Sequence, residues 1–158
     1  MTSKAPALID WLVNAFTTAP TLGQATPPVT IYDGPPTTGL DAFLKLYVGL
    51  TDPDNEGIEA AATFRQSRAD LGSATRTEYP DINCCAEAWS GTDDLVTVRH
   101  AVAAIVAAAE TVIRSDATTF GGNGQATPGL SAGDLLQNNT TAGAFARIPF
   151  VVSFTSFT

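Results

Sequence analysis

AAATFRQSRADLGSATRTEYPDINCCAEAW (residues 60–89) runs directly into SGTDDLVTVRHAVAAIVAAAETVI (residues 90–113). The first half reads as a long β-hairpin. One arm covers about Ala60–Asp70, the turn lies near Gly72-Ser73, and the return arm covers about Thr75–Trp89. In the return arm Ile82, Cys84, Ala86 and Ala88 alternate with Asn83, Cys85, Glu87 and Trp89, the two-residue period of a strand. The second half changes period. Leu95, Val98, Val102, Ile105, Ala109, Val112 and Ile113 recur every three or four residues, with Thr92 or Asp93 as the N-cap. A hairpin followed by a single amphipathic helix predicts antiparallel pairing with helices laid against the sheet.

Toward the N-terminus, Leu8, Leu12, Ala15 and Phe16, with Ile9 and Val13, predict a helix over 6–19, opened by Pro6 and ended by Pro20. Residues 20–28 hold three prolines and a glycine and form a loop. Val29–Asp33 is a short strand broken by Gly34-Pro35-Pro36. Phe43–Leu50 is a second strand, with Leu44, Leu46, Val48 and Leu50 on one face and Lys45 and Tyr47 on the other. Thr51-Asp-Pro-Asp-Asn-Glu-Gly57 is a turn-rich loop. Toward the C-terminus, Gly121-Gly-Asn-Gly124 is a loop, followed by two strand-like runs joined by an Asn/Thr/Gly turn. The last run ends on β-formers, including Phe154 and Phe157, which predicts a sheet edge covered by a neighbouring subunit. The order α-β-β-β-β-α-β-β predicts an α+β fold in one domain, 1–158. Its sheet is mainly antiparallel with a long β-hairpin, and two main helices pack on one face.

The chain has 158 residues, 44% of them hydrophobic, enough for one core and too few for two. Eight basic against sixteen acidic residues give a net charge of −8, which argues against nucleic-acid adhesion by counterion release. An acidic wall still lets DNA pass without holding it. Charged residues make up 15% of the chain, against roughly 25% in soluble domains, which leaves room for surface covered by contacts. Met1-Thr-Ser-Lys-Ala-Pro6 lacks the basic and apolar regions of a signal peptide, and no apolar run is expected to approach the ~20 residues of a membrane span. The two cysteines, Cys84 and Cys85, are adjacent and cannot close a useful loop, which points to a reducing compartment.

Candidate chemistry is sparse. His100 lies off the apolar stripe of its helix and has no ligand partner at helical spacing, so it reads as solvent-facing. Cys84 and Cys85 alternate across a strand, one thiol toward the core and one outward, without a partner to lower a pKa. Asp52-Pro-Asp54-Asn55-Glu56-Gly57 lacks the distal bidentate glutamate of a calcium loop and reads as a capped turn. Gly121-Gly-Asn-Gly124 has no following Lys-Ser/Thr, and Trp89-Ser90-Gly91 lacks the first glycine of a nucleophile elbow. No catalytic residue, cofactor site or metal site is therefore assigned.

Arg65, Arg68 and Arg76 place three of the eight basic residues on the hairpin, beside Glu78. The outer hairpin is polar on both faces and is expected to project from the body. It is either a solvated arm or a basic projection that meets an acidic face on the next copy or on another protein. Asp33, in Asp33-Gly-Pro-Pro36, and Asp52 and Asp54 lie in proline-stiffened loops, where rigidity lowers the entropic cost of docking. With Phe154 and Phe157 these residues form the expected protein interface.

An ordered set of segments carries a resemblance. A helix precedes Tyr32-Asp-Gly-Pro-Pro36, then Leu46-Tyr-Val-Gly-Leu-Thr-Asp-Pro-Asp54. The long hairpin ends Ala86-Glu-Ala-Trp-Ser-Gly91, and an alanine-rich helix leads to Gly133-Asp-Leu-Leu-Gln137 and Gly143-Ala-Phe-Ala-Arg-Ile-Pro-Phe150. Over nearly the whole chain this resembles the tail terminator (tail completion) proteins of long-tailed bacteriophages, in the form found in phages of actinobacteria. The resemblance implies a virion structural protein, assembled in the host cytoplasm and placed at the tail–neck junction. It implies a homo-oligomeric ring of six copies that caps the tail tube, contacts the tube protein and the head–tail connector or stopper, and lets genomic DNA through without specific binding. It implies no catalysis, cofactor or membrane. A neck stopper or adaptor, and a small-molecule-binding α+β domain using the Asp/Asn-rich loops, are the alternatives.

Overall fold

The computed structural model describes residues 3–36, 42–68, 76–116 and 125–157, and gives an α+β chain built on one seven-stranded sheet. In chain order the elements are α1 (Ala5–Thr18), β1 (Thr30–Asp33), β2 (Leu44–Val48), β3 (Ala62–Arg68), β4 (Arg76–Trp89), α2 (Leu95–Ser115), β5 (Gln125–Ala132), β6 (Leu136–Thr140) and β7 (Gly143–Phe157). Two long strands form the spine. β4 and β7 pair antiparallel from Thr77↔Phe157 to Trp89↔Phe145. The outer edge of β4 is shared by β3 (Arg68↔Arg76 to Ala62↔Ile82) and β2 (Val48↔Cys84 to Leu44↔Ala88). The outer edge of β7 is shared by β5 and β6, and β1 adds a parallel pair beyond β2.

Alternation sorts the side chains. Leu46 and Val48 of β2, Ile82, Cys84, Ala86 and Ala88 of β4, and Ala144, Ala146, Phe150, Val152 and Phe154 of β7 form one buried face. Both helices close over it, α1 through Leu8, Leu12 and Phe16, α2 through Val98, Val102, Ile105, Ala109 and Ile113. The four strand alanines let helices approach closely, and removing a large partner such as Leu12 would cost about 2–5 kcal/mol. Asp94, rather than Thr92 or Asp93, caps α2, its side chain accepting from Thr97 N at 3.0 Å. At α1 the N-cap residue Lys4 offers no capping side chain, and Ser3 Oγ accepts from Ala5 N at 3.1 Å. Glu78 adds a second cap from the sheet, accepting from Lys4 N at 3.2 Å and from the Ser3 hydroxyl, and its negative charge suits a helix N-terminus.

Gly143 opens β7 where only glycine fits. Its φ is +122°, and a Cβ there would lie 1.9 Å from the Ser90 carbonyl oxygen. The close approach lets Ser90 N donate to Ala144 O and Ala144 N to Thr92 O, which ties the β4–α2 connection to the sheet.

Several expectations are corrected. The outer hairpin does not stand free, because β4 is paired along its length by β7 on the side away from β3; only β3 is an edge there. Glu78 is consequently fully buried beneath the start of α1. The last strand is not an open edge either: β7 lies inside the sheet, Phe154 is core, and only Phe157 of that pair is exposed, at 57%. Three strands follow α2 where two were expected: β5 is an additional edge strand with an irregular register between Gln125 and Gly129, a position that tolerates Pro128 and Gly129. α2 is, by length and composition, apolar enough to cross a membrane, contrary to expectation, because its alanines raise its hydropathy; here it packs on the sheet. The expected turn at Gly72-Ser73 and the loop at Gly121–Gly124 lie outside the described residues.

Candidate functional site

The sheet face away from the helices carries a row of charge. Lys45, Glu87 and Arg147 are cross-strand neighbours on β2, β4 and β7, and are 5%, 2% and 6% exposed. Glu87 lies between two cations. Its Oε1 accepts from Lys45 Nζ at 3.4 Å and Trp89 Nε1 at 2.6 Å, and its Oε2 accepts from Arg147 Nε at 2.8 Å and from Nη2. Arg147 Nη1 reaches out to Asp52 Oδ1 at 3.2 Å and Asp54 Oδ2 at 3.1 Å. Two cations and three carboxylates leave the cluster one negative charge in excess.

Aromatic rings wall the cluster. Trp89 stacks on Phe145 at 4.7 Å and Tyr32 on Tyr47 at 5.0 Å, and Arg147 lies 5.3 Å from the Phe145 ring centre. Burial works to lower the Arg147 pKa, but the hydrogen bond and charge of Glu87, followed by those of Asp54, outweigh it and raise it. Tyr47 is pushed up by burial first and then by the Glu87 charge. Burial also pushes up both thiols, Cys84 to about 12. The cysteines do point to opposite faces, as alternation requires, but both are buried: Cys84 under the helices, Cys85 with Tyr47 and Leu50 beneath the loop after β2.

That loop is pinned at several points. Gly49, with φ +81°, turns the chain as Gly49 N and Leu50 N donate to Asn83 O at 2.7 and 3.2 Å. The Glu59 carboxylate gathers the loop by accepting from Thr51 N, Asp52 N and Asn55 Nδ2 at 2.9, 3.1 and 2.9 Å. Asn83 Nδ2 donates to Ala60 O at 2.7 Å. The loop therefore stands over the sheet with its tip outward, and Ile58 there is fully exposed.

Beside the network a cleft of about 450 Å³ is lined by Phe43, Lys45, Pro53, Asp54, Glu87 and Trp89, among others. Each Glu87 oxygen already accepts two hydrogen bonds from within the chain. The arrangement suits a rigid, charge-compensated support. Among the described residues, no group of three or more His, Cys, Asp or Glu side chains is gathered as a metal site.

Of the expected interface residues, the structure brings Asp52 and Asp54 together on Arg147. Asp33 is exposed at the end of β1 and is not among the ion pairs of the network. Arg65 lies over Tyr79 at 5.9 Å, and Arg68 stands opposite Arg76 across β3 and β4. Glu78 and Phe154 are buried within the chain, and Phe157 is exposed opposite Thr77. His100 is solvent-facing. Lys45, Glu87 and Arg147 were missed. Their signal was a charge on each of three strands at positions that alternate with apolar residues.

Compared with models of known protein families and with curated proteins, the chain matches none.

Proposed function

We propose that this chain is a structural subunit of a phage neck: a tail terminator that forms a ring of six copies on the head-proximal end of the tail tube, ends tube growth and presents a surface to the head. The observation that carries this reading is the composition of the buried network. Asp52 and Asp54, Glu87, and Arg147 come from three of the segments that carry the resemblance, 46–54, 86–91 and 143–150, and up to 95 residues separate them in the chain. Residues of three segments that carry the resemblance thus join Glu59 and Asn83 in holding the 51–59 loop outward. A preordered loop loses little entropy on docking, which suits an assembly surface. The role needs no cofactor and no catalysis, and DNA passes an acidic chain without adhering.

Native mass spectrometry of the purified protein, with negative-stain class averages, tests this. Six-membered rings, formed alone or on tube ends, are expected; a species that stays monomeric at every concentration and on added tubes contradicts the proposal. The second reading, a small-molecule-binding domain, draws on the cleft beside Lys45 and Trp89. Trp89→Ala separates the two, abolishing ligand binding in that reading and leaving rings in ours.

A further inference from the structure

Lys45 lies in the wall of the 450 Å³ cleft beside the charge row, with its side chain 6% exposed. An ammonium carries three N–H groups. One reaches Glu87 Oε1 at a long 3.4 Å, and the charge sits 5.9 Å from the Trp89 ring centre. Among the described residues the other two N–H groups have no acceptor. A buried donor without an acceptor is costly, so the cleft calls for an oxygen beside Lys45. It offers no buried acceptor in return. Glu87, in the same wall, takes two hydrogen bonds on each oxygen, and Asp54, on the rim, has a side chain 74% exposed and stays in water.

Charge narrows the occupant. The cluster is one negative charge in excess, so a further carboxylate beside Glu87 is disfavoured, and a cation would face Lys45. A neutral carbonyl oxygen supplies the acceptor and adds no charge. An ordinary peptide brings N–H groups with its carbonyls, and the buried wall has no open acceptor for them. Proline brings carbonyls without N–H groups, and its stiff, extended chains dock in grooves lined by aromatic rings. Such a lining is present: Phe43 is 61% exposed, and Trp89 and Pro53 join it around the cleft. We propose that this cleft binds a proline-rich segment of another protein, with one carbonyl on Lys45 Nζ and proline rings against Phe43 and Trp89. The site is separate from the contact that closes the ring. In a ring it is a docking point for a tube or neck protein, and it stands as a peptide site if the ring reading fails.

Fluorescence polarisation of a fluorescein-labelled decaproline amide, titrated with the whole chain, tests the site. Saturable binding is expected, and its absence up to about 1 mM overturns the proposal. A glycine–serine peptide of the same length, which keeps its N–H groups, is expected to bind at least about tenfold more weakly; equal binding overturns it. Phe43→Ala, at a position already mostly exposed, should weaken decaproline binding by about tenfold or more and leave the thermal midpoint unchanged. Lys45→Met removes the donor, leaves Glu87 its Arg147 partner, and should weaken binding as well. Decaproline binding that survives both changes lies elsewhere on the molecule, and the proposal fails. If Phe43→Ala also dissolves self-association, the cleft belongs to a second copy and not to another protein. If benzoate binds in a Lys45-dependent manner and decaproline does not, the cleft takes a small anion and the proposal fails.

Discussion

Glu87 is almost fully buried and balanced by a cation on either side, an arrangement that is costly to break and cheap to replace as a unit. Arg147→Met leaves a desolvated carboxylate whose only charge partner is the long Lys45 contact, with Trp89 Nε1 still donating to it, and is expected to cost about 3–5 kcal/mol in urea unfolding. Replacing the row together, Lys45→Met, Glu87→Leu and Arg147→Met, is expected to recover most of that loss, since no unpaired charge remains. If the triple variant is as unstable as the single one, the row is not held by charge compensation. This residue-scale feature was only half legible in the sequence. Lys45 and Glu87 alternate with apolar neighbours, so they read as the solvent side of their strands. Alternation does not reveal that a later loop returns to cover that side, nor that Arg147, 60 positions from Glu87, lands beside it. The same blindness applied to Glu78, whose burial depends on where the first turn of α1 docks.

The 51–59 loop behaves as an element in its own right, with Glu59 as its clasp. Slight burial of Glu59 works to raise its pKa, and the hydrogen bonds from Asn55, Thr51 and Asp52 more than offset this, holding it below the ordinary 4.5. A carboxylate lowered in the folded state stabilises fully above its ordinary pKa, and that contribution is lost as pH falls through the lowered value. Glu59→Gln should therefore have a lower urea midpoint than the parent at pH 7, and the gap should close on acidification below about pH 4.5. A gap of the same size at pH 3 would contradict the role of the charged clasp. Among the regular elements, legibility followed locality. α1 and α2 were readable because their stripes repeat over 14 and 21 residues, and the β6–β7 turn because Gly143 marks it. The interior position of β7 was not, since the strand that covers its second edge, β5, is broken by Pro128 and Gly129 and is separated from α2 in sequence.

At the scale of the whole molecule, the fold separates its tasks. One sheet face is given to the helices and the core, and the other to a charge network that steadies a protruding loop. Among the described residues the edge strands of the sheet are β1, β3, β5 and β6, and β7 lies inside it. The fold class and the one-sided helices were readable from the order of periods along the chain. The exposure of the expected interface residues was not, because it depends on which side chains the tertiary fold leaves uncovered: Arg68 remains outside while Glu78 and Phe154 do not. The central claim is that this chain ends a tail tube. It is tested most directly by negative-stain imaging of the protein mixed with the phage tail tube subunit during tube assembly. The account predicts tubes that carry a ring at one end only and whose length stops increasing once the protein is added. Tubes that bear no ring and continue to lengthen would contradict it.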